Sequence, residues 1–195
     1  MRHAQTHAQY QSEISTWNGR GFRPTLVESY RAGDSLRYAF IAEKRTGPGF
    51  AAYHGWTAAD HQSRANDLKG KGFAPVSVAV VSLKGKLYYT ALWEKTSIGT
   101  WLLSSTLTAS EYQKWLETAK ANQKLVYVNA YHHDGRSQFS AIVTTKASAS
   151  YAARHDLTTA GNQTEYEKWT GQRLRTQVVT GYKSGSSHRF AALWR

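Results

Sequence analysis

The chain has 195 residues, enough to bury roughly 70% of the surface that its unfolded form exposes, so it needs no covalent staples to fold. It contains no cysteine, which excludes disulfides and thiolate metal sites and leaves the redox compartment open. With 25 Lys and Arg against 13 Asp and Glu it carries a net charge of +12, which draws anionic partners but also describes an ordinary basic surface.

No apolar run approaches the ~18 residues of a membrane span, and the opening MRHAQTHAQY has no apolar stretch of the signal-peptide kind. A phrase Thr-x-x-x-x-Gln recurs at Thr6, Thr57, Thr108 and Thr158, at spacings of 51, 51 and 50 residues, so the chain is an array of four repeats. Each anchor opens a helix. Threonine is a good N-cap, and Gln9, Asp60 and Glu111 three residues on can close a capping box, which Gly161 cannot. The buried stripe of each helix is read as Tyr10/Ile14/Trp17, His61/Ala65/Leu68, Tyr112/Leu116/Ala119 and Asn162/Tyr166/Trp169. Gly19, Gly70 and Gly171 follow as left-handed C-terminal caps.

Two strand-like runs joined by a glycine-containing turn come next in every repeat: FRPTLVESY with RYAFIAEK, FAPVSVAVV with YYTALWEK, QKLVYVNAY with QFSAIVTT, and LRTQVVTGY with RFAALWR. One position of the first run is always valine: Val27, Val78, Val128 and Val179. In the second run Ile41, Leu92, Ile142 and Leu193 share a face with Ala39, Thr90, Ser140 and Ala191, and this face is the expected core. A third, shorter strand follows in three copies, with Phe50, Trp101 and Tyr151 in register. The fourth copy has none, so the strand around Arg189 to Trp194 is expected to show an open edge, with Arg2-His3 filling only part of the gap.

These phrases resemble a known family. The stretches GFRP, RYAFIAEKRTGPGFAAYHGWTAADHQ, GFAP, YYTALWEK and RFAALWR are similar to the bacterial tandem repeat domain, also found as the N-terminal domain of secreted fungal polyglycine hydrolases. The resemblance covers essentially the whole chain and implies a left-handed, propeller-like repeat region and an extracellular setting. In that family a separate serine-hydrolase domain, similar to class C β-lactamases, accompanies the repeats. Its Ser-x-x-Lys, which places an amine one helical turn from the nucleophile, occurs nowhere in this chain, and YVN at 127–129 and KSG at 183–185 fall on ordinary strands and turns.

His3 and His7 stand four apart, a spacing seen in zinc sites, but His3 shares the register of His54 and His155, which favours a repeat position over a metal. HHDG at 132–135 occupies a hairpin turn. Trp17 and Trp169 lie on the helix stripe and are expected to be core. Trp93 and Trp194 end the second run, where Ala42 and Val143 stand elsewhere, so packing does not demand their size and they are candidates for ligand stacking.

The expected fold is α+β: four units of a helix plus two or three antiparallel strands, at about 4–56, 57–106, 107–156 and 157–195, closed or nearly closed into a propeller-like ring. The expected function is a non-catalytic recognition module for a glycan or protein surface. Its candidate ligand-binding residues are Tyr53, His54, Trp93, His132, His133, Arg154, His155 and Trp194. No cofactor or metal is implied. The alternatives are polyanion or nucleic-acid binding driven by charge, and a hydrolase with an unrecognised site. Self-association through the edge near Arg189 to Trp194 is a further expectation.

Overall fold

The computed structural model describes residues 1–146 and 150–195, apart from the side chains of residues 119–122. Among the described residues there are four helices and four three-stranded antiparallel sheets, one of each per repeat. Repeat 1 holds β1 (Arg2–Gln5), α1 (His7–Gly19), β2 (Phe22–Ala32) and β3 (Ser35–Lys44). Repeat 2 holds β4 (Phe50–Trp56), α2 (Ala58–Gly70), β5 (Ala74–Leu83) and β6 (Lys86–Glu94). Repeat 3 holds β7 (Trp101–Thr108), α3 (Ala109–Asn122), β8 (Lys124–His133) and β9 (Arg136–Thr144). Repeat 4 holds β10 (Ala152–Leu157), α4 (Thr159–Gly171), β11 (Thr176–Ser184) and β12 (Ser187–Trp194). Two compact units divide the chain: repeats 1 and 2 form unit 1 (Met1–Ser97), and repeats 3 and 4 form unit 2 (Ile98–Arg195). No helix among the described residues is long and apolar enough to cross a membrane.

The strand orders are β1-β3-β2, β4-β6-β5, β7-β9-β8 and β10-β12-β11, so the short strand before each helix joins the hairpin after that helix. This corrects the expected hand-over: each repeat runs strand, helix, hairpin, and its first strand precedes Thr6, Thr57, Thr108 or Thr158. The fourth repeat therefore lacks nothing. β12 is a central strand, with Ala153 opposite Leu193 on one side and Val179 opposite Ala192 on the other, so the expected open edge at Arg189 to Trp194 does not exist. Arg2 pairs instead with Phe40 of the first sheet.

The helix starts follow their local chemistry. Thr6 accepts from the Gln9 backbone N–H while the Gln9 side chain accepts from the Thr6 N–H, closing a full capping box. Thr108 and Glu111 repeat it, and Thr158 caps Gly161 with the single bond that a glycine allows. The glutamine of the anchor phrase donates one turn ahead: Gln62 to Asn66, Gln113 to Glu117 and Gln163 to Glu167. At the other end the positive φ lies two residues beyond the expected cap glycines, at Gly21, Gly72 and Arg173; Gly19, Gly70 and Gly171 are the last helical residues.

Tyr10 packs with Val27, Tyr38, Phe40 and Leu92 as the core of unit 1. Tyr112 lies flat on Phe139 at 4.7 Å in unit 2, and Leu116 is buried beside it on the helix stripe, whose Ala119 lies outside the described side chains. The fourth helix departs from expectation, because it buries no residue and Tyr166 is exposed. Val27, Val78 and Val128 are fully buried, whereas Val179 is 49% exposed. On the opposite sheet face Leu92, Ile142 and Leu193 are fully buried, whereas Ile41 is 39% exposed.

Inside each unit the two sheets meet in one way. The Ser77 hydroxyl of β5 bridges the Val27 N–H and C=O on the edge strand β2, at 3.5 and 3.4 Å. In unit 2 the Thr180 hydroxyl of β11 bridges the N–H and C=O of Ala130 on the edge strand β8, at 3.3 and 3.4 Å. Counted from the repeated valine, each bridge joins a residue of the second sheet to the position one further along the first, so both units share one stagger.

Candidate ligand-binding site

In unit 2 a cavity of about 360 Å³ is lined by Gln113 and Leu116 of α3, by Tyr151 with Ala152 to His155 of β10, and by Trp169 of α4. Backbone pairing sets its floor. Ala152, Ala153 and Arg154 pair with Trp194, Leu193 and Ala192, and a register shift before Leu157 lets Asp156 take φ 58° and turns the chain into the helix. The strand thereby presents Tyr151, Arg154 and His155 toward two helices of different repeats.

Hydrogen bonds fix the orientation of the polar lining. Gln113 Nε2 donates to the Glu117 carboxylate at 2.9 Å, which leaves Gln113 Oε1 to accept from His155 Nε2–H at 3.0 Å. The remaining His155 nitrogen, Nδ1, has no protein partner. Nδ1 is itself enclosed, and burial holds the imidazole below its usual pKa despite the nearby Asp156 carboxylate. Arg154 lies 5.3 Å over the Trp169 ring, and Glu165 clamps both partners: its carboxylate is 3.4 Å from Arg154 Nε and accepts from Trp169 Nε1–H at 2.6 Å. The cavity thus combines two half-buried aromatic rings, a guanidinium and an amide. Among the described residues no group of three or more His, Asp or Glu side chains could hold a metal ion.

Repeat 1 carries the same clamp, with Arg2 5.0 Å over Trp17 and Glu13 holding both at 3.1 and 2.6 Å. The counterpart of the cavity in unit 1 is filled. His54 stands where His155 does, but His7 covers it at 4.2 Å and Tyr10 packs against it at 4.4 Å. Repeat 3 has Ala109 at the position of His7, and repeat 2 has Tyr53 and Leu68 where repeat 4 has Arg154 and Trp169. Unit 1 has a second hollow lined by Trp56, Asp60, Ser63, Arg64 and Asp67. Its charged groups are already committed, with Asp67 bound by Arg64 at 2.6 Å and Lys71 at 2.8 Å, and Asp60 accepting from the Thr57 hydroxyl.

Of the eight residues expected to bind ligand, the structure brings Arg154 and His155 to the cavity. Tyr53 and His54 are buried in unit 1. Trp93 and Trp194 are fully buried, which corrects their assignment as stacking surfaces. Trp93 Nε1–H donates to the Tyr53 hydroxyl at 3.2 Å, and that hydroxyl lies 2.8 Å from His61 Nδ1. Trp194 packs among Ala152, Ala192, Trp169 and Leu174. His132 and His133 are half-buried residues of β8 rather than of the turn, which is Asp134-Gly135, and they do not line the cavity. The sequence signals for the missed residues were present: Gln113 is the anchor glutamine, and Tyr151 is in register with Phe50 and Trp101.

Among curated proteins, none matches the chain. A family model described as polyglycine hydrolase-like, structural repeat matches four times in tandem, at residues 1–45, 47–96, 99–145 and 148–195. These matches keep each short first strand with the helix and hairpin that follow it, in agreement with the sheet topology. The chain therefore belongs to the polyglycine hydrolase-like structural repeat family, and four copies of that repeat account for essentially all of it.

Proposed function

We propose that the chain is a non-catalytic recognition module, and that the cavity of unit 2 takes one or two sugar rings of a glycan. The observation that carries this reading is the joint lining by Tyr151, Trp169, Arg154, Gln113 and His155. A pyranose ring offers an apolar C–H face to an aromatic ring and hydroxyls to a planar amide and a guanidinium. The volume of about 360 Å³ falls at the small end of ligand pockets, roughly 300–1,000 Å³. Because Arg154 donates and the Gln113 amide keeps a second N–H and a second lone pair, the site suits a ligand edge with hydroxyls that both give and take hydrogen bonds.

A glycan array probed at low and moderate salt tests the proposal. Binding that survives moderate salt and is lost in Trp169→Ala and Tyr151→Ala is the expected result. Binding restricted to sulfated or phosphorylated probes and weakened by orders of magnitude between the two salts would favour the +12 charge as the recognition device.

A further inference from the structure

A hydrogen-bond relay of repeat 2 has both of its ends, but not its middle, in repeat 4. In repeat 2 the Trp93 Nε1–H donates to the Tyr53 hydroxyl at 3.2 Å, and that oxygen lies 2.8 Å from Nδ1 of His61, which burial keeps neutral. An indole N–H can only donate, so the phenol oxygen accepts from it and is free to give its own proton to Nδ1. Between β6 and α2 a hydroxyl therefore joins a donor to an acceptor.

Repeat 4 sets out the same positions with the middle exchanged. Ala152 faces Trp194 and Arg154 faces Ala192, as Ala51 faces Trp93 and Tyr53 faces Ala91. Asn162 follows its capping threonine, Thr158, at the same interval as His61 follows Thr57. The histidine Nδ1 and the asparagine Oδ1 are both bonded to Cγ, so the two acceptors stand equally far from their backbones. Trp194 is fully buried, yet its Nε1–H has no partner among the described residues, and neither has Asn162 Oδ1. Arg154, in the place of Tyr53, cannot supply the link, because a guanidinium has donors alone and satisfies no indole N–H in any rotamer. It is drawn aside instead: Nη1 donates to the Ala153 carbonyl at 2.8 Å, Nε faces Glu165, and the group lies over Trp169. A buried indole N–H is ordinarily paired, so this one marks a place for an oxygen.

That place adjoins the cavity of unit 2. Ala152 and Trp169, which pack on Trp194, both line the cavity, and so does Arg154. We propose that Trp194 Nε1–H and Asn162 Oδ1 form a hydroxyl-binding place at the floor of the cavity, filled by an alcohol arm of the ligand where repeat 2 uses Tyr53. The inference rests on the cavity as the recognition site, and it adds a group that the ligand must carry. Because Trp194 is fully enclosed, the arm that reaches it is narrow and projects from its ring, as the hydroxymethyl of a hexose does. A pentopyranose has no such arm, so the place selects hexoses over pentoses.

Indole-resolved NMR of the whole chain, titrated with methanol as the smallest alcohol, tests the place without any sugar. The Trp194 indole proton should shift in a saturable way, while that of Trp93, whose relay is complete, stays in place. Arg154→Tyr supplies the hydroxyl from the chain itself, as repeat 2 does, so the Trp194 resonance should move toward that of Trp93 and the methanol response should be lost. Asn162→Val removes the acceptor at similar volume and should weaken the response with the circular dichroism unchanged. A Trp194 proton that ignores methanol, an undiminished response in Arg154→Tyr, or a long-lived water at that proton that methanol does not displace would each overturn the proposal. Sugars that shift Trp169 but leave Trp194 unmoved would overturn this inference alone and leave the cavity as the recognition site. A methanol response at Trp194 with no glycan bound would instead overturn the recognition reading and leave the hydroxyl place standing.

Discussion

The Ser77 hydroxyl sits between the N–H and C=O of Val27, fifty residues earlier in the chain, and satisfies both backbone groups of an edge strand at once. Both residues are fully buried, so water cannot replace the hydroxyl. Ser77→Ala leaves a donor and an acceptor without partners at nearly unchanged volume. The bonds are long, which puts the cost at the low end of the range for a buried unsatisfied group, about 1–2 kcal/mol. Urea unfolding of the variant, with an unchanged denaturant slope, measures it; no loss would mean that the bridge is geometric coincidence.

Burial reverses the tryptophan ranking that the sequence suggested. Trp93→Ala and Trp194→Ala should each cost about 3–5 kcal/mol, because both rings are fully enclosed. Trp17→Ala and Trp169→Ala should cost clearly less, since each ring is only half-buried and lies against a partly exposed arginine. Thermal unfolding of the four variants gives the order directly, and equal losses would contradict it.

His54 and His61 couple stability to pH. Burial, with His7 adding to it at His54, lowers each from 6.5 to about 4, so both are neutral in the folded chain at neutral pH. In the unfolded chain they titrate near 6.5. As pH falls from about 6.5 toward about 4 the unfolded form takes up protons that the folded form refuses, and stability is lost; above 6.5 the contribution is complete. Each histidine accounts for up to about 3 kcal/mol of this loss. His61→Phe keeps a ring against Tyr89 and should flatten the pH dependence by roughly one proton. Urea midpoints at about pH 7 and about pH 5 test it, and an equal drop in wild type and variant would contradict the assignment.

Arg173 takes φ 67° at the position where repeats 1 and 2 have Gly21 and Gly72. A left-handed backbone costs a non-glycine residue roughly 1–2 kcal/mol, part of which glycine's greater freedom in the unfolded chain offsets. Arg173→Gly should therefore raise stability by about 1 kcal/mol. Gly72→Arg should lower it by a similar amount, as denaturant titration of the pair would show.

The sequence made some of these features legible and hid others, for physical reasons. The four helices and their N-caps were readable because Thr6, Thr57, Thr108 and Thr158 act within three residues of themselves. The sheet membership of the short strand was not, since residues 50–56 adjoin both β3 and α2 in sequence and no local preference decides between Ile41 and Leu92 as neighbours. The structure pairs Ala52 with Leu92. Trp93 was misplaced because Ala42 and Val143 at its position suggested freedom of size, whereas its indole N–H is committed to the buried Tyr53 hydroxyl. Val179 shows the complementary limit: an identical residue at an identical register is core in three repeats and surface in the fourth, because burial depends on what packs against the face. The cavity escaped notice because its wall is shared by α3, β10 and α4, and only Arg154 and His155 of its lining stood out in the chain.

Trp169 and Trp17 offer the most direct measurement of the proposed recognition. Each indole N–H donates to a glutamate that also holds an arginine over the ring, but only Trp169 lines the cavity, so Trp17 is a built-in reference. In an amide- and indole-resolved NMR titration with the sugars that score on the array, the Trp169 indole and the His155 and Tyr151 amides should shift in a saturable way while the Trp17 indole stays in place. Shifts of both indoles together, or saturable binding that leaves Trp169, His155 and Tyr151 unmoved, would contradict the assignment of the unit 2 cavity as the binding site.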